Sequence, residues 1–524
     1  MAVSAFTVVA LVSLGLFVLY RVIIHPAFIS PLSKIPNAHW TAPVSPVWIL
    51  WKRYTSQNNR TIQAAHEKHG PIVRLSPNEI SINCVENGIK SVYTGGFEKH
   101  DWYPLGFGSL GTVSMFTMTG SKPHSTRKRM MSNIYSKSFL QSSPHMRLIS
   151  ENIVFSRLLP IFQDAASSGK HLEMHDINQG VTMDFVSAYL FGLANGTRFL
   201  QDEAYRKKML HLYHSRKPFE FFNQEVPNLL SWTKALGIRL IPRWCDDAND
   251  ILDRWNLELC DKAEASVGST ELDAEPVVYK QLKQAMLKHT SKEDNQNSVP
   301  DTPEKQRIEI ACELYDQLTA GFETSAVALT YLFWELSQHP ELQTKLREEL
   351  LTLDPSIRYP ATSKILPSAK SVDSLPLLDA IVTETLRLHA PIPGIQPRVT
   401  PYPSCNLAGY TGIPANTRVN AQAYSLHRNP EVFPEPETWQ PERWLKDGNS
   451  SAELEERKRW FWAFGSGGRM CVGSNLALQE IKLVIASVFT NYRTSIVDDD
   501  GIEAIDAYTV KPRSEKLVLK IEVA

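Results

Sequence analysis

Phe464-Gly-Ser-Gly-Gly-Arg-Met-Cys-Val-Gly473 joins an aromatic residue, a glycine-rich loop and one cysteine, and an apolar run from Ser474 to Thr490 follows at helical spacing. Glycines at 465, 467, 468 and 473 permit backbone angles closed to other residues and leave no side chains to fend off a flat ligand. The spacing places Cys471 just before a helix N-terminus, where partial positive charge and free N–H groups favour thiolate over thiol. A lone cysteine beside a turn is ordinarily a small, inert core residue. Here the aromatic, the glycines, the arginine and the following helix are in step, which reverses that reading.

A thiolate held this way is a soft, electron-rich ligand that suits haem iron better than a hard cation. The ten residues resemble the haem-binding signature of the cytochrome P-450 family, with Phe464, Gly467, Arg469, Cys471 and Gly473 on its marked positions. The resemblance implies a mainly α-helical fold with a small β-rich subdomain and heme b, its iron carried by the Cys471 thiolate. It also implies a monooxygenase that inserts one oxygen atom from O2 into a hydrophobic small molecule.

Composition narrows the alternatives. With 43% hydrophobic residues and 12 tryptophans among 524, the chain can bury a large core, which excludes disorder as the main theme. Basic and acidic residues balance at 55 and 56, against a nucleic-acid binder driven by bulk charge. The six cysteines are scattered without C-x-x-C spacing, so a disulfide scaffold or zinc cluster is disfavoured and a reducing compartment fits.

Ala2 to Tyr20 carries no charge and is closed by Arg21. As a helix it spans roughly 28 Å, close to a bilayer's hydrocarbon core. The basic residues Arg21, Lys34, Lys52 and Arg53 all follow it, so the positive-inside bias leaves the bulk of the chain in the cytosol. This reads as a retained signal anchor over residues 1–25 and not as a cleaved signal peptide. Prolines 26, 31, 36, 43 and 46 mark a stiff, non-helical hinge over 26–49. It resembles the hinge of membrane-bound family members and implies a single-pass protein of the endoplasmic reticulum. Residues 50–524 form the catalytic domain, larger than usual for one core but reasonable around a large cofactor.

Ile72–Leu75 and Glu79–Ile82, separated by Ser76-Pro77-Asn78, predict a hairpin. A second short sheet is expected between Arg398 and Ala423, and a polar surface loop at Ser291–Thr302. Gly106-Phe-Gly108-Ser-Leu-Gly111 fits the dinucleotide fingerprint by letter only. No strand signal precedes it, and no acidic residue lies between Asp101 and Glu151.

Thr302-Pro303 predicts a helix start and Pro340 its stop, with an apolar centre from Leu314 to Leu336. Ala320-Gly-Phe-Glu-Thr-Ser325 interrupts that centre with a glycine and a carboxylate, both costly in a buried helix. Taken alone, Thr324 bonds back to its own helix and Glu323 faces solvent. With Cys471 present, the segment resembles the family's oxygen-activation motif, which implies that Thr324 relays protons toward dioxygen and Glu323 supports the water chain. Glu384-Thr-Leu-Arg387, on a helix from near Ser374 to before Pro391, is a common spacing. Its order before Pro441-Glu-Arg443-Trp and the cysteine loop resembles the family's salt-bridged triad, here Glu384, Arg387 and Arg443, which locks that loop. The resemblance also assigns the haem propionates to Arg398 and Arg469, and to His124 and Lys128. The last two depart from the family's Trp-x-x-x-Arg pattern, and lysine lacks the bidentate fork.

The implied partners are a membrane-bound NADPH-dependent reductase and cytochrome b5, docking where Arg127, Arg129, Lys458 and Arg459 lie, with no nucleic acid. By analogy the pocket draws on Asp101–Thr119, 214–245, Cys312–Ala320, Pro391–Gln396 and Ala507–Thr509. Trp102, Phe107, Phe219, Phe221, Phe222 and Ile392 suit it to a bulky apolar substrate. Tyr135-Ser-Lys-Ser and the hinge look most like fungal members that tailor terpenoids, polyketides or alkaloids. A haem-thiolate isomerase or dehydratase and a non-catalytic haem-binding membrane protein are the rival readings. Neither has a use for Glu323-Thr324.

Overall fold

The computed structural model describes residues 5–293, 302–361 and 363–524, so most of the loop expected at 291–302 lies outside it. Helix α1 (Ala5–Leu19) carries apolar side chains all round and continues through wider π-type turns over Tyr20–Ile29. Together Phe6–Ile29 is long and apolar enough to cross a membrane, with a mean hydropathy of 2.3. The helix therefore outruns the anchor boundary expected at residue 25 and takes in Pro26. A proline removes one N–H and crowds the preceding turn. Here the wider turn accommodates it, the Ser30 N–H donates to His25 O, and the buried Arg74 guanidinium donates to Pro26 O at 2.8 Å. The hinge is partly helical too. Pro31–Lys34 is a 3-10 turn capped by the Ser30 hydroxyl, and Pro46 precedes α2 (Val47–Tyr54).

Strands β1 (Ile72–Ser76) and β2 (Glu79–Ile82) form the expected antiparallel hairpin, Ile72 opposite Ile82. β3 (Glu98–Lys99) leads into α3 (Trp102–Phe107), which carries Gly106 and is followed by the loop of the false dinucleotide motif. Next come α4 (Ser121–Met131), β4 (Leu172–Glu173) and α5 (Met174–Phe191). The chain then crosses to α6 (Glu203–Ser215), a 3-10 turn at Lys217–Phe219, α7 (Glu220–Glu225) and α8 (Pro227–Ala235). The central helix α9 runs Pro303–Gln338, as its flanking residues predict. The Thr302 hydroxyl accepts the Lys305 N–H, Pro303 occupies the first turn, and Pro340 follows His339. α10 (Pro376–Leu388) begins two residues after the expected start, because Ala369–Asp373 forms its own short turn. β5 (Arg398–Val399), β6 (Ser404–Leu407), β7 (Tyr410–Pro414) and β8 (Arg418–Asn420) supply the second β-rich stretch. Helix α11 (Ser474–Asn491), then β9 (Tyr492–Asp498) and β10 (Val518–Val523), complete the chain. The larger sheet has the order β1-β2-β8-β5-β3, with β2 and β8 parallel. Strands β4-β10-β9 and β6-β7 make two smaller sheets.

α9 is buried almost all round from Ile310 to Leu336 and packs along α5, which is buried over nearly its whole length. The Thr182 hydroxyl of α5 donates to Phe322 O at 2.8 Å, and His175 and Asn178 reach the Thr330 hydroxyl at 3.2 Å. The glycine inside α9 has a packing cause: a Cβ on Gly321 would lie 2.7 Å from Val186 Cγ2. Overpacking of this kind costs roughly 1–3 kcal/mol, against about 1 kcal/mol gained in helix propensity. Gly321→Ala should therefore lower the unfolding midpoint. Adding Val186→Ala should recover part of the loss, which a denaturation series on the single and double variants measures.

Candidate active site

Between α9 and α11 lies a cavity of about 1820 Å³. Ligand pockets usually run about 300–1,000 Å³, so this volume holds a large cofactor and a second molecule together. Ala320, Gly321 and Thr324 of α9 line it, as do Phe464, Arg469 and Cys471 of the glycine-rich loop. All the pocket segments expected from the sequence contribute, although on α9 the lining begins at Tyr315 and not at Cys312.

The loop geometry is local. Phe464 O accepts the Cys471 N–H at 3.0 Å, closing the loop on itself. Gly467 has φ +71°, and a Cβ there would sit 2.4 Å from Tyr93 O. Gly465 is also left-handed, whereas Gly473 has an ordinary φ of −85° and Gly468 is absent from the positive-φ glycines. Only two of the four glycines are therefore required by backbone angle. Cys471 stands just ahead of α11 and opens onto the cavity. The expected thiolate preference does not follow from this placement. Burial raises the Cys471 thiol, and the N–H groups of Gly473 and Ser474 and the Lys128 charge offset it only in part.

Five basic side chains converge on one part of the cavity wall: Lys99, His124, Lys128, Arg398 and Arg469. Burial and the neighbouring cations push Lys99 well below its ordinary range, hold His124 at about 3 and bring Arg469 down to about 10. Such mutual suppression marks a positive cluster lacking its anions. Two carboxylates of a flat, apolar ligand satisfy it, so this donor set fits a haem. Lys99 carries no motif of its own. Its ammonium donates to Phe116 O and sits 4.0 Å from the ring centroids of Tyr103 and Phe116. Arg398 donates to Tyr103 Oη at 3.0 Å, and Arg469 to Met118 O at 2.7 Å. Lys128 donates to Gly468 O and Met470 O, both at 2.9 Å, so it also clamps the cysteine loop.

Thr324 Oγ1 donates to Ala320 O at 2.7 Å, the back-bond expected of it alone, and the residue also lines the cavity. Glu323 does not face solvent. It is buried, accepts from Tyr213 Oη at 3.0 Å, and pairs with Lys217 from the 3-10 turn above the cavity.

Glu384 is fully buried. Its Oε1 accepts from Arg387 at 2.8 Å, Arg443 at 2.9 Å and the Gln440 N–H at 2.9 Å, and its Oε2 accepts from Arg387 and Trp444, both at 2.8 Å. Two residues without motif signals extend this network to the loop. His427 Nδ1 bonds Arg387 O at 2.8 Å, and its Nε2 meets the Trp462 N–H at 2.7 Å, two residues before Phe464. Burial lowers His427 to about 3, so it is neutral. The carbonyl then requires the proton on Nδ1, leaving Nε2 to accept.

Arg127, expected on a docking surface, is buried and donates to Glu309 at 2.9 Å, with Glu313 at 3.6 Å. Arg129, Lys458 and Arg459 are exposed.

The cytochrome P450 family model matches residues 41–519. The chain belongs to the cytochrome P450 family. It is 29% identical over 437 residues to the cytochrome P450 monooxygenase avaI of Aspergillus versicolor, covering 81% of this chain and 96% of that protein. It is 29% identical over 504 residues to the cytochrome P450 monooxygenase sdnE of Sordaria araneosa, 93% and 92% of the two chains. A P450 monooxygenase of Aspergillus niger is 25% identical over 517 residues, 95% of each. In this P450 chain α9 and the cysteine loop face one cavity, and the ion-paired Glu384 lies in the network behind the loop.

Two predictions concern the frame of the site. Removing one partner of a buried ion pair costs roughly 3–5 kcal/mol. Glu384→Ala should therefore yield protein with little bound haem, and a normal haem-to-protein absorbance ratio would contradict the bracing role. At the cavity rim, Glu225 of α7 meets Arg53 at 2.8 Å, Arg418 at 3.1 Å and the Trp102 indole at 2.8 Å. Burial alone would raise its carboxyl, but Arg418 and Arg53 hold it down at about 2. A depressed carboxylate stabilises the fold above its unfolded pKa, and that stability is lost as pH falls toward 2. The wild type should lose more stability than Glu225→Gln between pH 5 and 3, as parallel thermal melts would show; a shift of this size corresponds to about 3 kcal/mol in full.

Proposed function

We propose that this P450 chain is a membrane-anchored haem-thiolate monooxygenase that inserts one oxygen atom from O2 into a bulky hydrophobic molecule, with electrons from an NADPH-dependent reductase. The observation that carries the reading is the shared cavity. Cys471 opens onto it at the start of α11, Thr324 lines it from α9, and a buried basic cluster awaits two carboxylates. The haem, when bound, supplies the redox chemistry that activates dioxygen.

The protein's own groups do the rest. Cys471 would ligate the haem iron, and the Phe464 carbonyl and Lys128 ammonium hold its loop in place. Arg398, Arg469, His124, Lys128 and Lys99 would hold the propionates. Thr324 presents a hydroxyl that can pass a proton into the cavity, and Glu323, its buried neighbour in sequence, is the carboxylate assigned to resupply one. Glu384, Arg387 and Arg443 brace the segment leading into the loop. Trp102, Phe107 and Phe222 favour an apolar substrate by contact. The proposed setting is fungal small-molecule tailoring of terpenoid, polyketide or alkaloid type; the relatives, P450 monooxygenases of fungi, support the fungal setting. The apolar helix Phe6–Ile29 supports residence in the endoplasmic reticulum membrane, with the catalytic domain cytosolic. A reductase or cytochrome b5 would dock at the exposed Arg129, Lys458 and Arg459, the last two of which are paired with Glu455, Glu456 and Glu86 and would exchange those partners.

The reduced, carbon-monoxide-treated protein should show a strongly red-shifted Soret band that Cys471→Ser abolishes. NADPH oxidation should then require added reductase. An unshifted band, or one unaffected by the substitution, would remove the basis of the assignment. Substrate turnover without NADPH would favour the isomerase or dehydratase reading.

A further inference from the structure

The roof of the cavity differs from its walls. The segment running from the end of α6 into α7 carries Arg216, Glu220 and Gln224 at four-residue spacing, and all three line the cavity. Glu220 and Gln224 share a face of α7, and Arg216 stands just before the 3-10 turn that leads into it. Phe221 and Phe222 line the cavity as well and pack against Tyr54, with ring centroids 5.3 and 6.4 Å away. The roof thus sets a polar stripe beside aromatic side chains.

That stripe is short of partners. A guanidinium stays charged in a protein and offers five N–H donors. Arg216 reaches Glu220 only at 3.4 Å and Tyr315 Oη only at 3.3 Å, and its Nε has no partner among the described residues. Charge-assisted contacts normally close to 2.7–2.9 Å. Burial raises the Glu220 carboxyl despite Arg216 beside it. Asp253 also interacts with Arg216, but burial raises its carboxyl too and its hydrogen bond comes from the Leu110 N–H. Gln224 Nε2 is likewise buried without a partner, pressed against Gly106, where a Cβ would fall 1.9 Å from it.

We propose that this roof is a subsite for an oxyanion, a carboxylate or an enolate, on the substrate, with Arg216 as its anchor and the Gln224 amide as a second donor. The inference rests on the cavity being the substrate chamber, and it adds a chemical class: an amphipathic acid with an apolar body. Neutral hydrocarbons fill the chamber without finding the anchor.

The test uses the holoprotein and two fluorescent probes that share one apolar body, 1-pyrenebutyrate and the neutral 1-pyrenebutanol. Binding is read by quenching of pyrene emission and by the shift of the haem Soret band. The wild type should bind the acid at least tenfold more tightly than the alcohol. Arg216→Gln should erase that preference while leaving alcohol binding within twofold, Arg216→Lys should keep part of it, and Glu220→Gln should increase acid affinity. Each variant is first required to give the thiolate-type carbon-monoxide band, so a failed fold or a failed haem assignment shows itself separately. Equal affinities in the wild type, no binding of the acid, or a preference that survives Arg216→Gln would each overturn the proposal.

Discussion

A carboxylate sealed from water, Glu384, is the constraint from which the rest of the site follows. Its two oxygens take five hydrogen bonds, from Arg387, Arg443, Trp444 and the Gln440 backbone. A buried charge is tolerable only when its lone pairs are filled this completely. The same two arginines donate onward to the carbonyls of His427, Pro434, Pro436 and Thr438, so an irregular segment without regular backbone pairing becomes fixed. His427 then passes that order to Trp462 and the cysteine loop. None of these groups touches the cavity chemistry directly; they decide where Cys471 stands.

Opposite that frame, α9 reconciles two demands. Most of its length must pack tightly, and the hydrogen bonds to α5 hold it there. Around Ala320–Thr324 the same helix opens onto the cavity. Gly321 serves both, since its missing side chain lets α5 approach on one side while the cavity opens on the other. The acidic neighbour Glu323 is drawn away from solvent by Tyr213 and Lys217, which ties α9 to the segment roofing the chamber.

Where the sequence read well, the cause was local. Thr302-Pro303 and Pro340 bound α9 because capping and proline sterics act within a turn. The β1–β2 hairpin, likewise, is written in alternation and a Pro-Asn turn. The cysteine loop was legible because its spacing is unusual. What escaped depends on partners far along the chain. Pro26 looked like the end of a helix until Arg74, 48 residues on, met its carbonyl. Arg127 looked like surface charge and is held inside by Glu309, 182 residues away. Lys99, His427 and Glu225 belong to no short pattern at all, and only folding brings their neighbours to them. Burial also reversed the expected acidity of Cys471, which no helix terminus could decide alone.

The Arg74 contact has a mechanical side. That guanidinium is wholly enclosed and also binds the carbonyls of Ser76 and Pro77 at the hairpin turn, so one rigid side chain rivets the end of the apolar helix to the main sheet. A leash would let the body tumble above a bilayer; a riveted joint transmits tilt. Any membrane that takes up Phe6–Ile29 thereby sets the pose of the sheet and, through β3 and α3 beside it, the height of the chamber's rim above the lipid.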